Sequence, residues 1–375
     1  MSAPGGRRRL RSNREQTDSL TDGGAVIAGS PASPRGPIDI HTHAVDPALP
    51  DLALSYPADR WPAVESTSDT EAWLTYGGNR YRRIDHRCWS PQARIVDMDR
   101  DGIAAQVLSP IPVTFCYRAS TRGAVELATT QNDFFAKMVR GHPSRFGALA
   151  AVPLQDPDLA VDELRRCMSM PGFLGAEIAT QIAGVALEDE RLDRFFAVAH
   201  ELGALLLIHP SDQDLLERLT SSGLGFGAGM PAETGMAAAT LITSGAMSRR
   251  PGVRMCLAHG AGVLPAMIGR LDKGALIAGM AADSPDLPSR LAGNFWCDSL
   301  TYNAAALAAA IDVFGANHVV LGSDYPFPAM PSPLDDIVAD LPPELRERIG
   351  RRNLEELHGT LPGSRSDALS PAGGH

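Results

Sequence analysis

Residues 38–43 read IDIHTH, an apolar run ending in two histidines one residue apart. Alternate side chains of a strand share a face, so His41 and His43 point the same way and Thr42 turns from them. Two imidazoles on one face can hold a metal ion, but two ordinary surface histidines show the same spacing. His209 after ALLLI, His259 after VRMCLA and Asp324 after HVVLGS add three more candidates. Each has a plainer reading as a hydrogen-bonded loop residue, and Asp324, followed by Tyr325-Pro326, can simply start a turn. What the single residues lack in specificity the set supplies: ligand-type side chains recur directly after separate apolar runs.

Those runs set the architecture. They are 37–43, 104–110, 145–154, 173–180, 204–211, 253–260, 294–300 and 318–324. Helical patterns such as TRGAVELATTQNDFFAKMVRGH and DLAVDELRRCMSM separate them. Eight strands alternating with helices predict an α/β fold, a (β/α)8 TIM barrel, whose functional groups gather at the C-terminal ends of the strands. A doubly wound open sheet is the runner-up, and no GxGxxG follows the first strand to support a dinucleotide site there. Residues 46–90 read as a long irregular stretch, an inserted loop or small subdomain after strand 1. Residues 1–35 and 361–375 are expected to be disordered tails, which leaves 36–360 as the folded barrel.

On one barrel face, three neutral imidazoles and one carboxylate suit Zn²⁺, with Mn²⁺, Co²⁺ or Fe²⁺ as alternatives. The ligand assignment is His41, His43, His209 and Asp324, with His259 left as the acid/base; exchanging His259 into the ligand set is the competing assignment. The fourth strand, GAEIAT, carries Glu177 and no lysine. A bridging carbamylated lysine is therefore not available, and one metal rather than two is expected. Alternation leaves the facing of Glu177 open, and it is read as packed or as lying just outside the ligands.

Composition narrows the partners. A net charge of −10 argues against nucleic acid, and no apolar run reaches membrane-spanning length. The five cysteines are scattered without a CxxC pair, which fits reduced thiols in a cytoplasmic enzyme. Only Lys137 and Lys273 are available for lysine chemistry.

With these residues in place, HTH, LLIHP, LAHGAG and LGSDYPFP together resemble the amidohydrolase-related barrels. Further matches narrow the resemblance to the metal-dependent decarboxylases of the 2-amino-3-carboxymuconate 6-semialdehyde decarboxylase type. They are WSPQARIVDMDRDGIAAQV (89–107), AVPLQDPDLA (151–160), MPAET (230–234), GRLD (269–272), CDSLTYN (297–303) and GSDYPFP (322–328). The resemblance implies the same zinc ligands and His259 as the catalytic histidine, with Asp324 serving both metal and catalysis. It also implies that Arg82 grips a substrate carboxylate, although a one-residue slip would substitute Arg80, Arg83 or Arg87. Arg270 would come from the neighbouring subunit of a homodimer. Departures occur where HPSD places Ser211 at an indole position, in the Gly-rich ERLTSSGLGFGAG, and near Ala278. They widen the expected substrate to aromatic or unsaturated, muconate-type carboxylic acids.

Two chemistries share this ligand set. The resemblance favours non-oxidative decarboxylation, in which the carbon losing CO₂ is activated and reprotonated. The alternative is a metal-dependent hydrolase, hydratase or deaminase. A non-catalytic binding barrel is the third reading, and five intact ligand and acid/base positions argue against it.

Overall fold

The computed structural model describes residues 36–211, 215, 217–327 and 338–359. The expected disordered tails lie outside the described residues. Each of the eight apolar runs forms a strand. In chain order with the smaller sheets, the strands are β1 (Ile38–Ala44), β2 (Pro62–Ser66), β3 (Glu71–Tyr76), β4 (Asn79–Asp85), β5 (Ala105–Pro110), β6 (Phe146–Ala150), β7 (Phe173–Ala179), β8 (Gln181–Ile182), β9 (Val185–Ala186), β10 (Leu205–His209), β11 (Arg254–Leu257), β12 (Trp296–Asp298) and β13 (Val319–Val320). Eight of them make one parallel sheet in the order β1-β5-β6-β7-β10-β11-β12-β13. Its two ends meet: the Ile40 N–H donates to the Leu321 carbonyl (3.0 Å) and the His43 N–H to the Tyr325 carbonyl (2.7 Å).

The intervening helices carry their own start signals. Helix Pro157–Met168 begins with the Asp156 carboxylate accepting from the Leu159 N–H, has proline in its first turn, and ends with Arg165 and Arg166. Helix Thr121–Gly141 buries Ala124, Leu127, Ala128, Phe135 and Val139 along one stripe against the sheet. Inside the sheet, Ile38, Ile40, Val107, Leu149, Leu205, Leu207 and Cys256 pack together, and Leu354 and Leu357 from helix Asn353–His358 close one end of this cluster. All five cysteines are free and buried, and burial pushes the Cys88 thiol up to about 12.

Residues 46–90 are less irregular than the sequence reading held. Strands β2, β3 and β4 pair antiparallel into a separate three-stranded sheet. The β3–β4 connection is the two-residue Gly77-Gly78 turn, with φ of 56° and 77° at those residues. Both central positions of such a turn need positive φ, which glycine adopts without strain. The cue was present in EAWLTYGGNRYRRID, an aromatic run on each side of a Gly-Gly pair.

Strand β1 has a second departure from simple alternation. Its pairing with β5 shifts register between Asp39 and Thr42. Ile38 and Ile40 therefore face the interior cluster, and beyond the irregularity His41 and His43 also face inward, against His209. A bulge of this kind re-aims side chains at a strand end. Because Leu354 seals the interior cluster from below, Leu354→Ala is expected to destabilise the protein by about 2–5 kcal/mol, read as a lowered urea midpoint at unchanged m-value.

Candidate metal centre

The five strand-end residues named from the sequence converge. His41 and His43 come from β1, His209 ends β10, His259 follows β11, and Asp324 follows β13. The ligand atoms of His41, His43, His209 and Asp324 all lie within 4.8 Å of one another, and all four residues are buried. The His259 ring stands beside them, with its centroid 4.9 Å from that of His209 and 5.3 Å from that of His41. His259 and Asp324 both hold positive φ, 57° and 63°, which non-glycine residues adopt at a cost of order 1–3 kcal/mol. The chain is bent at these two positions so that their side chains reach the centre.

The outer nitrogen of each candidate ligand is committed to an acceptor. Nδ1 of His41 donates to the Asp298 carboxylate (2.6 Å), Nδ1 of His43 to the Pro110 carbonyl (2.8 Å), and Nδ1 of His209 to the Pro210 carbonyl (2.7 Å). Carbonyl and carboxylate acceptors require the proton on Nδ1, so all three Nε2 atoms turn inward, those of the neutral His43 and His209 as lone pairs. There Nε2 of His43 lies 3.2 Å from Nε2 of His41 and 2.9 Å from Oδ1 of Asp324. Nε2 of His209 is buried with no hydrogen-bond partner. Converging lone pairs, one orphaned, with a carboxylate among them, fit a divalent cation.

The electrostatics agree with that fit. Burial opposes charge on His41, but the Asp298 carboxylate, with Asp324 and Glu177, outweighs it and lifts the pKa to about 9, so without a cation this ring also carries a proton on Nε2 that a bound metal would displace. Burial holds His43 and His209 below the usual histidine range, which keeps them neutral. Burial, helped by the His41 charge, brings His259 down to about 4, so it is a neutral imidazole at physiological pH. Asp324 stays below the ordinary carboxylate range: burial opposes its ionisation, and the neighbouring His43, His41 and His259 together outweigh burial.

Above the centre is a cavity of about 460 Å³ lined by His43, Tyr81, Arg82, Arg83, Pro112, His209, Phe226, Met230, Asp324 and Phe327. Arg82, on β4, stacks over the Phe327 ring at 4.4 Å. Of the alternatives raised by a one-residue slip, Arg80 pairs with Glu65, Arg83 with Glu71 and Arg87 with Asp85. A neighbouring cavity of about 400 Å³ shares Phe226 and Met230 with the first and reaches His259 and Tyr302. Arg270 does not line either one. It is exposed on helix Leu264–Ile277, at a separate cavity bounded by Ile242, Asp286 and Leu291.

Several contributors were not singled out as site residues in the sequence. Asp298, inside CDSLTYN, is the foremost. Besides His41, its carboxylate accepts from the backbone N–H groups of His259 (3.0 Å), Gly260 (2.9 Å) and Leu300 (3.0 Å). Its position at the end of the seventh apolar run was the available signal. Arg94 is another: fully buried, it donates to the carbonyls of Arg87 and His43, to Thr42 Oγ1 and to Gln106. Phe226 supplies an aromatic wall from the Gly-rich segment that departs from the family's pattern in the sequence.

Asp298 is expected to control metal retention. In Asp298→Asn the amide loses the charge that holds Nδ1–H and can offer its own N–H instead, which would turn the His41 lone pair outward. Metal affinity should fall about 10–100-fold in a chelator competition, with the far-UV circular dichroism unchanged.

The comparisons with known proteins agree with this geometry. The amidohydrolase family model matches residues 38–359. A 2-amino-3-carboxymuconate-6-semialdehyde decarboxylase from Dictyostelium discoideum is 34% identical over 87% of this chain and 92% of its own length. A gamma-resorcylate decarboxylase from Rhizobium sp. (strain MTP-10005) is 28% identical over 75% of this chain and 90% of its own. Among solved structures, 5-carboxyvanillate decarboxylase from Novosphingobium aromaticivorans DSM 12444, complexed with manganese and 4-hydroxy-3-methoxy-5-nitrobenzoic acid, superposes with a TM-score of 0.65 at 25% identity, covering 73% of this chain and 82% of that one. The eight-stranded parallel sheet, the ordered strand-end residues and the match across nearly all described residues place this chain in the amidohydrolase family.

Proposed function

We propose that the protein is a metal-dependent, non-oxidative decarboxylase of an aromatic or muconate-type carboxylic acid, a carboxy-lyase on a (β/α)8 barrel. One observation carries the reading. The cavity over the His41, His43, His209 and Asp324 cluster sets the Arg82 guanidinium against the aromatic wall of Phe327, Tyr81 and Phe226. A planar acid has matching parts: a carboxylate for the guanidinium and a flat apolar body for the rings. Decarboxylase activity in the relatives supports the same choice.

A divalent cation held by the four residues would act as a Lewis acid toward a substrate oxygen and favour electron withdrawal from the reacting carbon. The chain's own residues do the rest. Arg82 fixes a carboxylate in a two-point fork. Phe327, Phe226 and Met230 hold the body of the acid and exclude water. His259, neutral at rest, first takes up a proton from water or from a substrate hydroxyl and then delivers it to the carbon as its bond to the carboxyl carbon breaks and CO₂ departs; the electron pair of that bond takes the proton. His259 has a buried Nδ1 without a hydrogen-bond partner, so its ring is not tied to another acceptor through that atom. Asp298, bonded to its backbone N–H, fixes where the ring starts.

The finer assignments follow from the same reading. Zn²⁺ is the proposed metal on the three-nitrogen, one-oxygen donor set, and Mn²⁺ is the competitor because a related decarboxylase holds manganese. Residues 36–360 form the catalytic unit, with 46–90 as its insertion between the first two barrel strands. A homodimer is proposed through the helix carrying Arg270, where Ile277 is 77% exposed. No described helix is long and apolar enough to cross a membrane. The buried free thiols support a reducing, cytoplasmic setting.

Metal-loaded protein incubated with a panel of aromatic and muconate-type acids should release CO₂ and, in D₂O, leave deuterium on the vacated carbon. His259→Asn should lower kcat at least about 100-fold with little change in metal content, and Arg82→Ala should mainly raise KM. Stable incorporation of solvent oxygen-18 without CO₂ release would instead identify a hydrolase or hydratase.

A further inference from the structure

A second cavity opens beside the one above the metal centre, and the proposed chemistry leaves it unassigned. Its volume is about 400 Å³, and the two share Phe226 and Met230 as a common wall. The first cavity holds Arg82 and the candidate ligands His43, His209 and Asp324, whereas the second reaches His259. A molecule whose reacting carbon lies between the metal and His259 therefore has the second cavity on its His259 side.

The two cavities differ in what they can hold. Pro231, Pro265, Ala266, Leu300, Ala306 and Ala309 give the second one an apolar surface of small side chains. Among the described residues no arginine, lysine or carboxylate lines it. The Thr301 hydroxyl, which also borders it, is given to the Asn303 carbonyl (3.0 Å). A carboxylate placed here would be uncompensated, and water would find few partners. An apolar group entering the cavity leaves water at no polar cost.

Its walls are fixed by contacts of their own. The Val263 N–H donates to the Pro231 carbonyl (3.1 Å), and a Cβ on Gly262, at φ 58°, would lie 2.0 Å from that carbonyl oxygen. The loop after β11 thus closes directly on helix Met230–Thr243, which carries Pro231. Across the cavity, the Asn303 side chain accepts from the N–H groups of Ala305 (2.8 Å) and Ala306 (3.3 Å) and starts helix Ala304–Phe314. Ala306 and Ala309, three residues apart, present one face of that helix to the cavity. Tyr302, just before the cap, is held at φ 54°, a costly conformation for an aromatic residue. Its ring stands 6.0 Å from that of Phe226, tilted by 57°, and both residues are partly exposed. The two rings make an aromatic rim.

Resting on the decarboxylase reading above, we propose that this cavity is a subsite for an uncharged, apolar substituent of the substrate, with Phe226 and Tyr302 as its specificity-determining residues. The preferred substrate is then an aromatic or unsaturated acid that carries an alkyl chain or a second ring on the side facing His259. A bare monocyclic acid leaves the subsite empty, and an acid with a second carboxylate there is disfavoured. The Gly-rich segment that departs from the family's pattern acquires a role, since it brings Phe226 to the wall between metal and subsite.

Metal-loaded protein would be assayed for CO₂ release from one parent aromatic acid and from derivatives bearing methyl, propyl, phenyl or carboxylate groups at each free ring position. At one position at least, kcat/KM should rise roughly fourfold per added methylene, and the carboxylate derivative should fall below the parent. Ala309→Leu, which fills the cavity from the helix behind it, should cut the ratio of propyl-acid to parent kcat/KM about tenfold. Tyr302→Gly should lower the same ratio with an equal or higher melting temperature, because glycine takes a positive φ without strain. Tyr302→Phe should keep it. A flat kcat/KM across the series, a carboxylate preferred to a propyl group, or a ratio that Ala309→Leu leaves unchanged overturns the proposal. Calorimetric titration of the same acids into metal-loaded His259→Asn separates the subsite from the reaction. Tighter binding of the propyl acid than of the parent, with no CO₂ from any acid in wild type, overturns decarboxylation and upholds the subsite.

Discussion

One carboxylate joins the two halves of the site. Asp298 leaves the end of the seventh barrel strand and, through its two oxygens, takes the His41 Nδ1–H and the backbone N–H groups of His259, Gly260 and Leu300. Burial opposes its charge, and those donors outweigh burial to keep it ionised. The first strand, the loop after the sixth and the loop after the seventh are thus referenced to one buried group. Because His41 is a candidate ligand and His259 the candidate proton carrier, the distance between metal and acid/base is set by that group. A flexible pair of loops could not hold it.

A second constraint acts from behind the strand. The register irregularity in β1 turns His41 and His43 inward after Ile38 and Ile40 have already faced the interior. That local rearrangement would leave carbonyls near the strand end to be satisfied, and Arg94 meets part of this need by donating to the His43 carbonyl and the Thr42 hydroxyl. The Tyr325 hydroxyl in turn donates to Asp97 on the helix that carries Arg94, and its ring lies 5.0 Å from the Arg94 guanidinium carbon. The segment bearing Asp324 is therefore braced against the same helix. The side chains that face the centre are held by polar contacts that do not.

The cavity above has a division of labour that follows from its sources. Barrel strand ends supply the polar floor, which must be rigid, whereas Arg82, Tyr81, Phe226 and Phe327 come from connections and from the small antiparallel sheet. Walls built on such segments can change without disturbing the ligands. A chain built this way can keep the candidate ligand order that the resemblance implies while departing from the family's pattern after strand five. An indole position is occupied by buried Ser211, and an aromatic wall is supplied by Phe226 farther along.

Much of the site was legible in the sequence because ligand-type residues at strand ends interrupt apolar runs, and that interruption is local. His41, His43, His209, His259 and Asp324 could all be found this way, as could the eight strands themselves. Arg82 and Arg270 came only from resemblance, and the tertiary structure separates them: Arg82 lines the cavity, while Arg270 sits elsewhere on an exposed helix. Asp298 and Arg94 act through contacts tens to hundreds of positions away, which no spacing encodes. Glu177 was visible as a residue but its inward facing was not, because alternation gives two faces and only pairing with β10 chooses between them. The sequence by itself determined which side chains were chemically able to build the centre. The tertiary structure decided which nitrogen of each ring faces inward, since that depends on acceptors contributed by other strands and loops.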